Sequence, residues 1–224
     1  MNASVNDLKR TVRECVNTPF LIPAGRGKHY NIYKDGAIGM KTQYTAEEAL
    51  QKLKEGNRQY IDSERNPGDI SRHIREETYA HGQHPYATVI ACSDSREIPE
   101  AIFSAGIGEI FTIRVAGNVI DASQLGSIEY AAEHLHVPLT VVLGHTNCGA
   151  VEAASQGHLE GYAGTLTKDI YKAIKGEPDL TAASRRNVLY QLEKIRTAFA
   201  GKCCFKAIGA LYHIESGIVE WLED

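Results

Sequence analysis

Three short runs, YATVIA (86–91), IFTIRV (110–115) and LTVVLG (139–144), are almost continuously apolar and rich in β-branched residues, and the segments between them are able to form helices. Runs of that kind lack the alternation of a half-exposed strand, so they predict strands buried on both faces in a parallel sheet covered by helices. Ahead of them, Thr45-x-x-Glu48 reads as a capping box for a helix that carries Ala46, Ala49, Leu50, Leu53, Tyr60 and Ile61 at helical spacing. Asn66-Pro67-Gly68 marks the connection that follows it. After the third run, residues 181–200 read as a helix, and CFKAIGALYHIESGIVEWLED reads as a strand, a Glu-Ser-Gly turn and a second short strand. Residues 1–44 carry Pro19, Pro23, Gly25, Gly27, Gly36 and Gly39 with little periodicity, which predicts a short N-terminal helix and an irregular arm. The predicted class is α/β: a mainly parallel β-sheet flanked by helices, with an N-terminal helical arm (1–44), a single domain (45–224) and a C-terminal strand hairpin.

Composition narrows the function more than the fold. With 224 residues, 43% hydrophobic and 23% charged, the chain can bury a sizeable core. A net charge of −4 with scattered Lys and Arg leaves no basic footprint, so nucleic acid is not an expected partner. The N-terminal stretch has no apolar signal-peptide region, and no window approaches the roughly 18 apolar residues of a membrane span. The expectation is a soluble cytoplasmic protein with no membrane partner. Five cysteines at irregular spacing argue for reduced thiols over a disulfide framework, which leaves some of them free for metal.

The chemistry concentrates where two of the buried runs end. In open α/β sheets, ligands bind outside the carboxyl ends of the strands. Cys92-Ser93-Asp94-Ser95-Arg96 follows the first run, and Gly144-His145-Thr146-Asn147-Cys148-Gly149 follows the third. If the two strands are neighbours, Cys92, His145 and Cys148 offer two thiolates and an imidazole, a set suited to a catalytic zinc with its fourth position open. Asp94 can pair with Arg96 while its other oxygen faces what the metal binds. Each feature alone has a bland reading: a packed cysteine, a loop ion pair, a chance His-x-x-Cys. Their coincidence at strand ends favours the metal reading. Gly117 and Gly149 read as positions for tight turns or close backbone approach. Cys203 and Cys204, adjacent in a predicted strand, face opposite sides and cannot both serve one site.

ACSDSR and GHTNCGAV, in that order, closely resemble the two zinc-site motifs of the β-class carbonic anhydrases. IRVAGN (113–118) and SIEYAAEHL (127–135) resemble the segments between them, and the similarity extends over residues 45–222. The resemblance implies one Zn2+ per subunit on Cys92, His145 and Cys148, an Asp94–Arg96 dyad as the catalytic pair, and interconversion of carbon dioxide and bicarbonate by zinc-bound hydroxide. It further implies a carbon dioxide pocket formed by Gln83, Phe111, Tyr130, Val89 and Gly149 and shared between subunits, hence a homodimer or homotetramer. One branch of the family has a Trp where this chain has Val89, and there the Asp of the dyad can swing onto the metal. Its absence predicts Asp94 held by Arg96. His134, one helical turn after Tyr130, is the candidate proton relay. Three alternatives stay open: hydrolysis of a sulfur analogue such as carbonyl sulfide, a non-catalytic metal scaffold in which Asp94 closes the fourth position, and a thiol-redox role. The last is disfavoured by the lack of Cys-x-x-Cys.

Overall fold

A computed structural model of the chain describes residues 44–63, 68–201 and 205–222. The expectations for the N-terminal arm, for Asn66-Pro67 and for Cys203-Cys204 lie outside the described residues. Helix α1 (Ala46–Asp62) starts where the capping box places it: Thr45 Oγ1 accepts from Glu48 N–H at 3.2 Å, and Glu48 Oε2 accepts from Thr45 N–H at 2.7 Å. Helix α2 (Arg72–His81) then leads into strand β1 (Ala87–Ala91). The short helix α3 (Pro99–Ile102) precedes β2 (Ile110–Arg114), a 3₁₀ turn (Ala116–Asn118) and α4 (Ala122–His134). Strand β3 (Leu139–His145) is followed by three helices, α5 (Gly149–Ser155), α6 (Gly164–Ile174) and α7 (Leu180–Ala198), and by the pair β4 (Lys206–Tyr212) and β5 (Val219–Leu222).

The sheet order is β2-β1-β3-β4-β5, with β1–β2, β1–β3 and β3–β4 parallel and β4–β5 antiparallel. The predicted parallel sheet and terminal hairpin are thus both present. The order also carries a consequence for function. From β1 the chain moves outward to β2 and then returns to the other side of β1 for β3, so the crossovers diverge between β1 and β3 and open a crevice at their carboxyl ends.

Both faces of the sheet are covered, which explains the unbroken apolar runs. Ala87, Val89, Ala91, Leu139, Val141 and Leu143 pack with Ala49 and Leu53 of α1 and with Phe103. On the opposite face Ile90, Ile113 and Val142 pack with Val188, Leu192 and Ile195 of α7. Helix α7 rides close because of two glycines: a Cβ on Gly144 or Gly209 would meet Val188 methyls at 2.5 and 2.9 Å. Helix α2 was not anticipated by the hydrophobic pattern, and it buries no residue, so there was little apolar periodicity to read. The helical content between β1 and β2 is only the four residues of α3, since the stretch from Cys92 to Ile98 is loop.

Candidate metal centre

Cys92 lies directly after β1, His145 is the last residue of β3, and Cys148 is the N-cap of α5. β1 and β3 are hydrogen-bonded neighbours, with Thr88, Val89 and Ile90 opposite Thr140, Val141 and Val142. The topology therefore delivers all three side chains to one crevice, where a ligand atom from each lies within 4.8 Å of the others. Exposure is 4% for Cys92, 1% for His145 and 3% for Cys148. The His145 Nδ1 sits 2.9 Å from the Thr146 carbonyl oxygen, an arrangement that places the ring proton on Nδ1 and leaves Nε2 as a lone pair. That Nε2 is buried without a hydrogen-bond partner among the described residues. The ring nitrogen has only the Cys92 sulfur beside it to interact with, and a cation bound by all three residues would satisfy it fully.

The thiols fit the same reading. In the metal-free chain the Cys148 thiol hydrogen-bonds to Cys92 and holds Cys92 down to about 4, while the same contact and burial push Cys148 up. A divalent cation bound by both sulfurs would displace their protons and be neutralised by the resulting pair of thiolates. The set of two sulfurs and one imidazole nitrogen suits a borderline-soft ion.

The loop joining Cys92 to the acid–base pair is held from below. On β2, Arg114 donates from Nε to the Cys92 carbonyl at 3.0 Å and from Nη2 to the carbonyls of Asp94 and Glu97 at 2.7 and 2.8 Å. Glu97 is fully buried, and its Oε2 accepts from Cys92 N–H at 2.7 Å. Burial pushes this carboxyl up to about 8 in the metal-free chain. Gly117, in the 3₁₀ turn, donates its N–H to Cys92 Sγ at 3.1 Å. Its φ of +68° and a would-be Cβ 2.5 Å from Ile170 Cδ1 give the physical reason for glycine there. Sequence reasoning did not assign Glu97 or Arg114 to the site, because a glutamate in a polar loop and an arginine at a strand end look like surface residues until the fold is known.

Asp94 and Arg96 pair as the sequence suggested. Arg96 donates from Nε to Asp94 Oδ1 at 2.9 Å and from Nη2 to Oδ2 at 2.7 Å, and Nη2 also reaches the Asn147 carbonyl at 3.1 Å. Arg96 holds the Asp94 carboxyl well below the usual carboxylate range. Asp94 Oδ2 remains 3.9 Å from His145 Nε2, so the carboxylate borders the ligand set while engaged by arginine.

The expected pocket residues are more dispersed within one chain. Phe111 and Tyr130 lie together with ring centroids 6.1 Å apart, and the His134 ring lies tilted against Tyr130 with centroids 5.2 Å apart, on the helix face where the spacing put it. Tyr130 is 43% exposed, and Gln83 is exposed beyond the end of α2. Gly149 is exposed, and a Cβ built on it meets no atom within 4 Å. Val89 has no accessible surface and packs in the core between Ala87 and Ala91, so in this chain it is a packing residue and borders no open space.

Comparison with known proteins follows the same residues. A family model described as carbonic anhydrase matches residues 87–219, more than half of the chain. A carbonic anhydrase of Mycolicibacterium smegmatis is 34% identical over 189 residues, covering 77% of this chain and 91% of that protein. Carbonic anhydrase 2 of Mycobacterium tuberculosis is 42% identical over 128 residues, and that match spans 56% of this chain and 61% of the relative's length. Among solved structures, a tetrameric β-carbonic anhydrase of the filamentous ascomycete Sordaria macrospora is similar with a TM-score of 0.58 and 25% identity, covering 68% of this chain and 88% of that one.

Proposed function

The chain belongs to the carbonic anhydrase family, and from that premise we propose that it catalyses the reversible hydration of carbon dioxide to bicarbonate and a proton, with one zinc ion held by Cys92, His145 and Cys148. The observation that carries this reading is the convergence of those three buried ligands beside an arginine-held carboxylate at the switch point of a parallel sheet. A zinc ion bound there supplies Lewis acidity that lowers the pKa of a coordinated water from about 15.7 to roughly 7.

The residues of the chain supply orientation. Asp94 is ionised and pinned by three bonds from Arg96, one of them from the backbone N–H, and it accepts a hydrogen bond from the reacting oxygen so that a lone pair points at carbon. Arg96 is itself tied to Asn147, which couples the dyad to the turn that carries Cys148. Phe111 and Tyr130 give the apolar wall that a linear, uncharged substrate needs, and the Gln83 amide meets the oxygen that gains charge. Gln83 lies exposed on the single chain, which supports a pocket completed by a second subunit in a homodimer or homotetramer. His134 passes the released proton to solvent. Residues 45–224 act as one catalytic domain, and two buried free thiols that must stay reduced to bind metal favour the cytoplasm. Among the described residues no helix is long and apolar enough to cross a membrane.

Stopped-flow hydration with a pH indicator, read beside metal content, tests the proposal. Cys148→Ser is expected to lose both the metal and the rate. A variant that keeps full metal and full rate removes Cys148 from the site.

A further inference from the structure

The 3₁₀ turn beneath Cys92 is held from α7. Gly117 donates its N–H to Cys92 Sγ at 3.1 Å, and its carbonyl accepts from Asn187 Nδ2 at 2.8 Å. Asn187 Oδ1 accepts from Gln191 Nε2 at 3.2 Å, and Gln191 Oε1 accepts from Ile120 N–H at 2.9 Å. Gln191 Nε2 also reaches Asp169 Oδ2 at 3.1 Å, an oxygen that accepts from Lys194 Nζ at 2.8 Å. The two amides therefore hold the turn at its middle residue, Gly117, and the chain just beyond it at Ile120.

Two features make this grip more than packing. Asn187 and Gln191 are both 0% exposed on the helix that otherwise presents Val188, Leu192 and Ile195 to the sheet. Buried amides hold their place only through the bonds they make, and apolar residues of equal size would serve a core as well. Gly117 lies at φ +68° with wide conformational freedom, so the two peptide planes that meet at it are held from outside: Asn118 N–H donates to the Val115 carbonyl at 3.0 Å across the turn, and Asn187 holds the Gly117 carbonyl.

We propose that Asn187 and Gln191 are positioning residues of the metal centre, acting through Gly117 to keep one N–H donor on Cys92 Sγ and so limit the charge that this thiolate gives the metal. The inference rests on Cys92 being a metal ligand. A hydrogen bond to a ligating sulfur draws electron density from it, leaving the metal the stronger Lewis acid, and partners beyond the ligands commonly tune metal sites in this way.

The test uses the full chain reconstituted with cobalt(II), whose near-ultraviolet sulfur-to-metal charge-transfer bands report on thiolate donation. Asn187→Leu and Gln191→Met are compared with wild type, with Asn57→Leu as a structural control. Asn57 is also a buried asparagine, but it joins α1 to the end of α3 and the start of β5, donating to the carbonyls of Ile102 and Gly217 at 3.2 and 2.9 Å and accepting from Val219 N–H at 3.0 Å. Both α7 variants are expected to shift the bands to lower energy, because a thiolate relieved of its N–H donor gives more charge to the metal. Asn57→Leu is expected to lose thermal stability and leave the bands in place. Should Asn187→Leu fail to fold, the milder Gln191→Met decides the matter. Folded α7 variants with wild-type bands, or a control that shifts them equally, overturn the inference. A Cys92→Ser protein whose bands keep both the energy and the full intensity of wild type removes Cys92 from the metal centre, and the inference with it.

Discussion

Replacing Gly117 by alanine probes fold and site at one atom. The added Cβ would stand 2.5 Å from Ile170 Cδ1 and 3.1 Å from Ala150 Cβ, and the backbone φ is +68°. Holding alanine in the left-handed region costs about 1–2 kcal/mol. Ile170 has no exposed surface, so its methyl cannot swing into solvent, and such overpacking costs about 1–3 kcal/mol more. The sum is about 2–5 kcal/mol, which at roughly 2–4 °C per kcal/mol for a chain of this size lowers Tm by about 4–20 °C. Gly149→Ala is the matched control, because its Cβ meets nothing within 4 Å and its φ is not positive. That variant is expected to stay within about 0.5 kcal/mol of wild type. Thermal unfolding of the metal-free chains, followed by circular dichroism, measures both. A Gly117→Ala protein as stable as Gly149→Ala would refute the reasoning, since it would mean that neither the backbone conformation nor the contact with Ile170 constrains the turn.

Three further outcomes follow from the site. Asp94→Asn should keep the metal and lose about a hundredfold in hydration rate, the scale on which one oriented hydrogen bond acts in a transition state; an unimpaired rate would exclude Asp94 from catalysis. Glu97 is raised to about 8 in the folded metal-free chain against about 4.3 when unfolded, so between those values the folded state binds the extra proton and stability falls as pH rises, levelling out above the folded value. Cys92, lowered to about 4 in the same state, contributes the opposite slope, so Glu97→Gln should make urea midpoints rise more with pH than in wild type between pH 5 and 8, and a variant with the wild-type pH dependence would clear Glu97 of the effect. His134→Ala should lower turnover at low buffer concentration and recover on addition of imidazole, whereas an unchanged buffer dependence would return His134 to a surface role.

Much of the site was legible in the chain because its chemistry is local. Cys92, Asp94 and Arg96 fall within five positions, and His145 and Cys148 within four, each group just beyond an apolar run that can only be a buried strand. The capping box at Thr45, the three strands and the terminal hairpin were readable for a similar reason: side-chain hydrogen bonds over three residues and hydrophobic runs depend on sequence neighbours. Helix α2 escaped because its few apolar residues, Ile74, Tyr79 and Ala80, make no apolar stripe and none of its residues is buried. Val89 was assigned to a pocket by analogy, although the apolar run that contains it predicts a strand buried on both faces, and the structure packs it in the core with α1.

The sequence by itself determined which residue types could bind a soft cation and that they would end two buried strands. Only the tertiary structure decided that those strands are neighbours, since parallel pairing joins segments whose separation in the chain says nothing of their order in the sheet. It also decided the surroundings of the metal ligands. Arg114 reaches the Cys92 loop because Ala91 and Arg114 are register partners, and Asn187 reaches Gly117 across 70 residues because two glycines let α7 approach the sheet. Local propensity ranks conformations of a few residues, whereas a hydrogen bond between distant segments exists only after the core has brought them together. That is the physical reason the ligands could be read in the sequence and the groups that orient them could not.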